Sequence, residues 1–363
     1  MTQNSYKVIG VMSGTSLDGI DLAYCEFKLA NGKWNYQILK AETFPYSQDW
    51  MAQLASIENK SALEYAKFDV DLGRHLGKTI ASFVQKHQLS VDFIGSHGHT
   101  IYHQPEIQLT TQIGSGAQIA AQTQIPVVYD FRILDLALGG QGAPLVPIGD
   151  QLLFSDYQFC LNLGGIANIS TESKGNRIAF DICPCNMVLN YLSQKENLSY
   201  DDGGKNAENG KFISTLFEAL ENLDFYKNNE PKSLGKEWVL ETVIPLIEKY
   251  KDYAHWDIAH TFTHHIASQI ANSVKINQEQ KDKGSQEKLL ITGGGAYHAF
   301  LIRTLGKLLP EVKIEIPSRE IIEFKEAMIF GFLATLRWRN EINCLSSVTG
   351  ASKDSSSGVI LKV

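Results

Sequence analysis

The stretch from Ile9 to Asp21, IGVMSGTSLDGID, sets three glycines, three small hydroxyl residues and two aspartates within thirteen positions. Glycines reach positive φ and let backbone N–H groups converge on one anion. Two further glycine turns follow apolar runs, one carrying Gly164 and Gly165 and the other Gly293, Gly294 and Gly295. The first loop, Gly14, Thr15, Ser16, Leu17, Asp18, Gly19, Ile20 and Asp21, is not a P-loop, because GxxxxGK[ST] requires a lysine where Ile20 stands. Neither SGTSLDG nor TGGGAYH completes the dinucleotide pattern GxGxxG. What remains is a phosphate-holding hairpin that carries carboxylates. An acid beside a polyphosphate is repulsive unless a divalent cation lies between them, so Asp18 or Asp21 would belong with Mg²⁺, directly or through water. The other reading of Asp18 is an Asp-Gly hairpin turn.

Asp181 is the strongest candidate for a general base. It follows an apolar strand and precedes a proline turn and a helix, which would hold its carboxylate rigidly. The competing reading is an N-cap aspartate. IPVVYDF delivers Asp130, then Arg132, just past a short apolar run, and GSHG (95–98) places His97 at the expected carboxyl end of another strand, where open α/β sheets bind ligands. His97 would donate to a substrate or orient a neighbour, or else be a satisfied core histidine. His97, His99 and His103 lie within seven residues, but no carboxylate is near and Cys183 and Cys185 have CxC spacing, so a structural zinc site is a poor match. Glu326 either reaches into a cleft or complements a helix dipole.

These residues need elements to hold them. YKVIGVMSG reads as a strand entering the first glycine turn, and ANGKW as the turn of a following hairpin. Apolar residues from Ser61 to His87 recur three or four apart, which predicts a helix. The glycine- and proline-rich LGGQGAPLVP reads as a loop crossing between lobes. FCLNLGGIANIS then resembles the opening hairpin again, and IAFDICPCNMVLNYLS reads as a strand ending at Asp181, a turn and a helix. Ser199 to Lys236 reads mostly as loop with one short helix. Phe262, Ile266, Ile270 and Val274 predict an amphipathic helix ending in the charged loop NQEQKDKGSQEK. LLITGGGAYHAFLIRTLGKLL gives strand, glycines and helix, and EFKEAMIFGFLATLRWR a last long helix. Two strand-rich beginnings with glycine hairpins, each followed by helices, suggest a duplicated α/β architecture.

At 363 residues the chain exceeds one usual core, so two lobes are expected. A net charge of -7 argues against a general nucleic-acid or membrane-surface binder. Five cysteines form no disulfide scaffold. With neither a signal-peptide pattern at the start nor a long apolar run, the expectation is a cytoplasmic protein.

GVMSGTSLDGID, GSHGHTIYH, TTQIGSGAQIA, VVYDFRILDLALGGQGAPLVP, NLGGIANIS, TGGGAYH, KEAMIFGFLA and VTGAS together, in order and spacing, closely resemble the anhydro-N-acetylmuramic acid kinase family, from Val8 to about Ser352. That resemblance implies two lobes with related mixed-sheet cores, an actin-like ATPase or ribonuclease H-like duplication, closing on ATP at the cleft between them. The lobes would be residues 1–140 with about 345–363, and 141–344. It implies a kinase that uses ATP and Mg²⁺ to open 1,6-anhydro-N-acetylmuramic acid with water and phosphorylate O6, in cell-wall recycling, and a homodimer. Carried over, Gly14 to Asp21 would hold phosphates and metal, Asp181 would activate the water, and Gly293 to Gly295 would lie near the nucleotide. His97, Asp130 and Arg132 would surround the sugar and its lactyl carboxylate. The chain departs from the family's Phe-Asp-Thr-Gly-Pro-Gly-Asn in FDICPCN, with Ile182 for threonine and Cys183 and Cys185 for glycines, and has His99 where glutamine is usual. Two alternatives follow: a kinase of the same fold for a different sugar, or a non-enzymatic ATP-responsive switch protein.

Overall fold

The computed structural model describes residues 4–14, 17–227, 232–278 and 286–363. It divides into two compact units, residues 1–154 with 324–363, and residues 155–323. In the first unit β1 (Ser5–Ser13) runs antiparallel to β2 (Gly19–Ala30), which pairs antiparallel with β3 (Lys33–Pro45). On its other side β1 pairs parallel with β4 (Phe93–Gln104), and β4 with β6 (Val127–Tyr129). β5 (Leu109–Ile113) pairs with the far end of β4, and β12 (Val359–Leu361) closes the β6 edge. From Val8 to Met12 β1 is a continuous apolar, buried run, as a strand covered on both faces requires.

On one face lies the helix Ala62–His87. Its N-terminus is a capping box between Ser61 and Glu64, and it buries Leu72, Leu76, Ile80 and Phe83 against β1, β2 and β4. The helix Arg319–Trp338 contributes its residues from Phe324 onward to the other face, close enough that a Cβ on Gly10 would stand 1.8 Å from the Ala327 carbonyl oxygen. The predicted ANGKW turn is present, with Asn31 at φ 52° and Gly32 at φ 76° joining β2 to β3.

The second unit repeats this connectivity. β7 (Phe159–Leu163) pairs antiparallel with β8 (Ile166–Ser173), and β8 with β9 (Asn176–Pro184). β7 also pairs parallel with β10 (Lys288–Thr292), and β10 with β11 (Lys313–Glu315). Each sheet thus has a first strand flanked by an antiparallel pair on one side and a parallel pair on the other. The helix His255–Ile276 buries Phe262, Ile266, Ile270 and Val274 in the core of this unit.

Four details differ from the sequence reading. The units divide at Phe154/Ser155 and Glu323/Phe324, where the sequence placed the divisions at 140/141 and 344/345. Residues 147–154 stay with the first unit because Asp150 pairs with the buried Lys325 at 2.7 Å and Phe154 packs on Tyr36. β4 does not end at Gly98 but runs on to Gln104, since β5 supplies it with a partner. β9 likewise continues past Asp181 to Pro184. Finally, the polar interval from Ser199 holds two short helices, Lys205–Glu208 and Ser214–Glu221, with 3₁₀ turns at Asp202–Gly204 and Asp224–Lys227. Among the described residues no helix is long and apolar enough to cross a membrane.

Candidate active site

The first glycine loop joins β1 to β2. Leu17 N–H donates to the Gly14 carbonyl at 3.2 Å with Leu17 at φ 62°, while Thr15 and Ser16 lie outside the described residues. Asp18 is exposed. Neither Asp18 nor Gly19 has positive φ, so the Asp-Gly pair does not form a type I′ turn. Gly19 is required for another reason: a Cβ there would stand 2.5 Å from the Phe44 carbonyl oxygen of β3. Ile20 is buried in the core, and the half-buried Asp21 accepts from the Thr43 hydroxyl at 2.5 Å. Beneath the loop the buried Ser13 hydroxyl bonds Tyr46 Oη at 2.8 Å and His99 Nδ1 at 3.0 Å. Burial pushes the Tyr46 phenol up to about 12, against the opposing Ser13 hydrogen bond. Tyr46 N–H donates to the Asp18 carbonyl at 3.3 Å, tying this network to the loop.

His97, buried in β4, has both ring nitrogens committed. Arg132 Nε–H donates to His97 Nε2 at 2.9 Å, so the ring proton is on Nδ1, which donates to the Gly98 carbonyl at 3.0 Å. Burial, reinforced by the Arg132 charge, drives its pKa well below the usual 6.5, and the ring is neutral. Arg132 Nη1 donates to the Gly142 carbonyl at 2.7 Å, and the guanidinium lies 6.0 Å from the Phe330 ring centroid. Gly142 is itself held by the buried Asp135, which accepts Gly142 N–H at 2.8 Å, the Thr349 hydroxyl at 2.7 Å and the Cys344 thiol at 3.0 Å. Asp130 has φ 59°, an uncommon conformation for a non-glycine residue. Burial raises its pKa, with the Ile133 N–H opposing.

Glu326 is the eighth residue of its helix, beyond the turn in which a helix dipole acts, so the dipole reading does not hold. It is solvent-accessible, and its pKa is raised by desolvation from the surrounding protein, with Arg132 pulling it down and Asp21 pushing it up. Asp21, Arg132 and Glu326 therefore share one electrostatic neighbourhood. The three clustered histidines do not converge: His97 faces Arg132, His99 faces Ser13, and His103 Nδ1 bonds the Thr110 hydroxyl at 3.2 Å. Among the described residues no group of three or more His, Cys, Asp and Glu side chains is placed to hold a metal ion.

In the second unit Gly164 and Gly165 form the β7/β8 turn. Their carbonyls accept the N–H groups of Cys185, Asn186 and Met187 at 2.8–3.2 Å, so the start of the helix Asn186–Lys195 docks on the glycine turn. Asn186 Nδ2 donates to the Leu163 carbonyl at 2.9 Å. Gly293, at φ 79°, is bound to be glycine, since a Cβ would meet Asn162 Oδ1 at 2.5 Å and the Leu163 backbone at 2.9 Å. The turn and the Gly293–Gly295 segment are thereby adjacent. Beside them opens a pocket of ≈ 670 Å³, lined among others by Asn186, Asp201, Trp256, Gly294, Gly295 and His298. Sequence reading missed Asp201, Trp256 and His298. The run DDGGKNAENG, read as loop, was the available signal, because Asp201 caps its own short helix through Asn206 and Ala207 N–H.

Asp181 is not an N-cap. The helix begins at Asn186, and Asp181 sits on β9 beside a bulge at Ile182. Its N–H donates to the Lys232 carbonyl at 2.9 Å and its Oδ2 accepts Leu234 N–H at 2.8 Å. Burial raises its pKa, partly offset by that hydrogen bond. The neighbouring Ile182, Cys183 and Cys185 are core residues. Neither cysteine has positive φ, so neither position demands glycine here, and burial keeps both thiols protonated, Cys185 at about 12.

The anhydro-N-acetylmuramic acid kinase family model matches residues 6–363. The chain is 35% identical over 370 residues to the anhydro-N-acetylmuramic acid kinase of Francisella tularensis subsp. novicida (strain U112), covering 96% of this chain and 97% of that protein. It is 34% identical over 368 residues to that of Sulfurovum sp. (strain NBC37-1), covering 97% and 98%. Among solved structures it is similar, at 12% identity and TM-score 0.44, to the activator of the 2-hydroxyisocaproyl-CoA dehydratase from Clostridium difficile with bound ADPNP, over 92% of this chain and 97% of that one. Matched along almost its whole length, the chain belongs to the anhydro-N-acetylmuramic acid kinase family.

Proposed function

We propose that this protein is an ATP-dependent sugar kinase that opens 1,6-anhydro-N-acetylmuramic acid with water and phosphorylates O6, yielding N-acetylmuramic acid 6-phosphate and ADP in cell-wall recycling. The observation that carries this reading is the family match over residues 6–363. The side chains described above supply the chemistry it needs. Asp181 takes a proton from the attacking water; burial makes its carboxylate more basic than usual, and one oxygen is already fixed by Leu234 N–H. Arg132, aimed by His97 and Gly142, offers its remaining guanidinium N–H donors to the lactyl carboxylate, with Asp130 and Glu326 as acceptors for sugar hydroxyls.

The Gly14–Asp21 loop, Gly164–Gly165 and Gly293–Gly295 hold the nucleotide, and the pocket beside Gly294 takes its nucleoside. Asp18, which is exposed, and Asp21, half-buried and accepting the Thr43 hydroxyl, are hard oxygen donors of the kind Mg²⁺ takes and would hold it directly or through water. An Mg²⁺ held by these aspartates would supply positive charge to offset that of the phosphate oxygens. We take the working form to be a cytoplasmic homodimer.

The test is product mass. Purified protein with MgATP and the anhydro sugar yields a product heavier by one water and one phosphoryl group. A product heavier by the phosphoryl group alone identifies a simple hydroxyl acceptor, and no conversion by folded, ATP-binding protein refutes the assignment. Asp181→Asn lowers kcat by about 10²–10⁴-fold with ATP affinity kept.

A further inference from the structure

β9 is the edge strand of its sheet, yet its backbone at Asp181 is not open. The segment Lys232–Leu234 lies along it, accepting Asp181 N–H through the Lys232 carbonyl and returning Leu234 N–H to Asp181 Oδ2. Asp181 thus donates its backbone N–H to, and accepts a side-chain bond from, one short segment outside the regular secondary structure. That piece is anchored at both ends. Leu234 is buried, and Lys232 Nζ donates to the Phe225 carbonyl at 2.6 Å while lying 4.1 Å from the Phe225 ring centroid and 5.8 Å from that of Tyr226. Tyr226 is fixed in turn: its hydroxyl bonds Nε2 of the fully buried His265 at 3.1 Å, whose Nδ1 pairs with Glu221 at 2.5 Å.

We propose that Lys232–Leu234 is a positioning strap for Asp181, with Lys232 as its pin. The strap binds Oδ2 and leaves Oδ1 as the atom that receives the proton, and it adds a hydrogen bond that stabilises the charged carboxylate against burial. This inference rests on the assignment of Asp181 as the base. Lys232 is a positioning residue and does not touch the reacting atoms. Among the described residues, the titratable groups facing the arrangement are Cys183 and, behind it, Cys185, Glu221 and His265 on the flanking helices, Tyr226, and Lys232 itself.

The test uses the full-length enzyme. Lys232→Met keeps the alkyl stem and loses the Phe225 bond; we expect kcat to fall about tenfold, KM for ATP to stay within about twofold, and the acidic limb of the kcat profile to move to higher pH, because the carboxylate loses its donor. Lys232→Arg, which keeps a donor and a cation over the rings, restores the profile. Hydrogen exchange reads the contact without activity: Asp181→Ala speeds exchange of the Leu234 amide about tenfold or more relative to wild type. An unmoved acidic limb and unchanged kcat in Lys232→Met, or equal Leu234 exchange in wild type and Asp181→Ala, overturns the strap. Full turnover in Asp181→Asn overturns the base assignment instead, and the exchange measurement then tells separately whether the strap holds the carboxylate.

Discussion

His97 offers a clean electrostatic test of the first-unit geometry. Its Nε2 lone pair accepts Arg132 Nε–H, so a second ring proton would point at a guanidinium inside a buried site. The folded pKa is therefore depressed well below 6.5. For a group depressed in this way, the unfolded chain binds a proton that the folded chain refuses once the pH drops below the unfolded value. Stability is thus intact above about pH 6.5 and is lost as pH falls below it. Between about pH 7.5 and about pH 5.5 the loss from this one imidazole is about 1.4 kcal/mol. His99, His75, His103 and His298 are depressed by burial too and add to the total slope, so a difference measurement is needed. His97→Gln retains an acceptor for Arg132 and removes the titration. Urea unfolding of both proteins at the two pH values isolates the term: wild type loses about 1.4 kcal/mol more than the variant on acidification. If the gap between the two proteins is the same at both pH values, His97 is not held neutral by burial and Arg132, and the tautomer argument fails.

Two other substitutions probe the scaffolding of the site. Asp135→Ala strands the Gly142 N–H, the Thr349 hydroxyl and the Cys344 thiol, and lowers stability by about 3–5 kcal/mol, read from chemical denaturation. Because Gly142 also aims Arg132, KM for the sugar rises along with it, whereas KM for ATP does not. Gly293→Ala places a methyl 2.5 Å from Asn162 Oδ1 at φ 79°; the left-handed conformation alone costs about 1–2 kcal/mol. Calorimetric titration with ADP is expected to show weakened or absent binding, and unaltered affinity would remove Gly293 from the nucleotide assignment.

Local signals were legible in the sequence because the physics behind them is local. The apolar spacing from Ser61 to His87, the Asn31-Gly32 turn and the four-residue spacing of Phe262, Ile266, Ile270 and Val274 each depend on neighbours within one or two turns. The repeated strand, glycine hairpin, strand grammar likewise foreshadowed two sheets of one connectivity. Strand ends were another matter. β4 outruns its predicted end because β5 pairs with it, and β9 because Ala167 and Ile166 of β8 pair with Cys183 and Pro184 past the bulge at Ile182, and no residue within either strand announces such a partner.

The sequence by itself determined which residue types could do chemistry, the glycine turns, the lone Asp181 after an apolar strand, and through its motifs the family. Tertiary structure decided what surrounds each of them. Only folding could place Arg132 against His97, put Asp21 and Glu326 within its field, bury Cys183 and Cys185 as inert packing, and set Asp201, Trp256 and His298 around one pocket. The reason is physical. Burial and partner geometry fix protonation state and orientation, and both are properties of the space around a side chain rather than of its position in the chain.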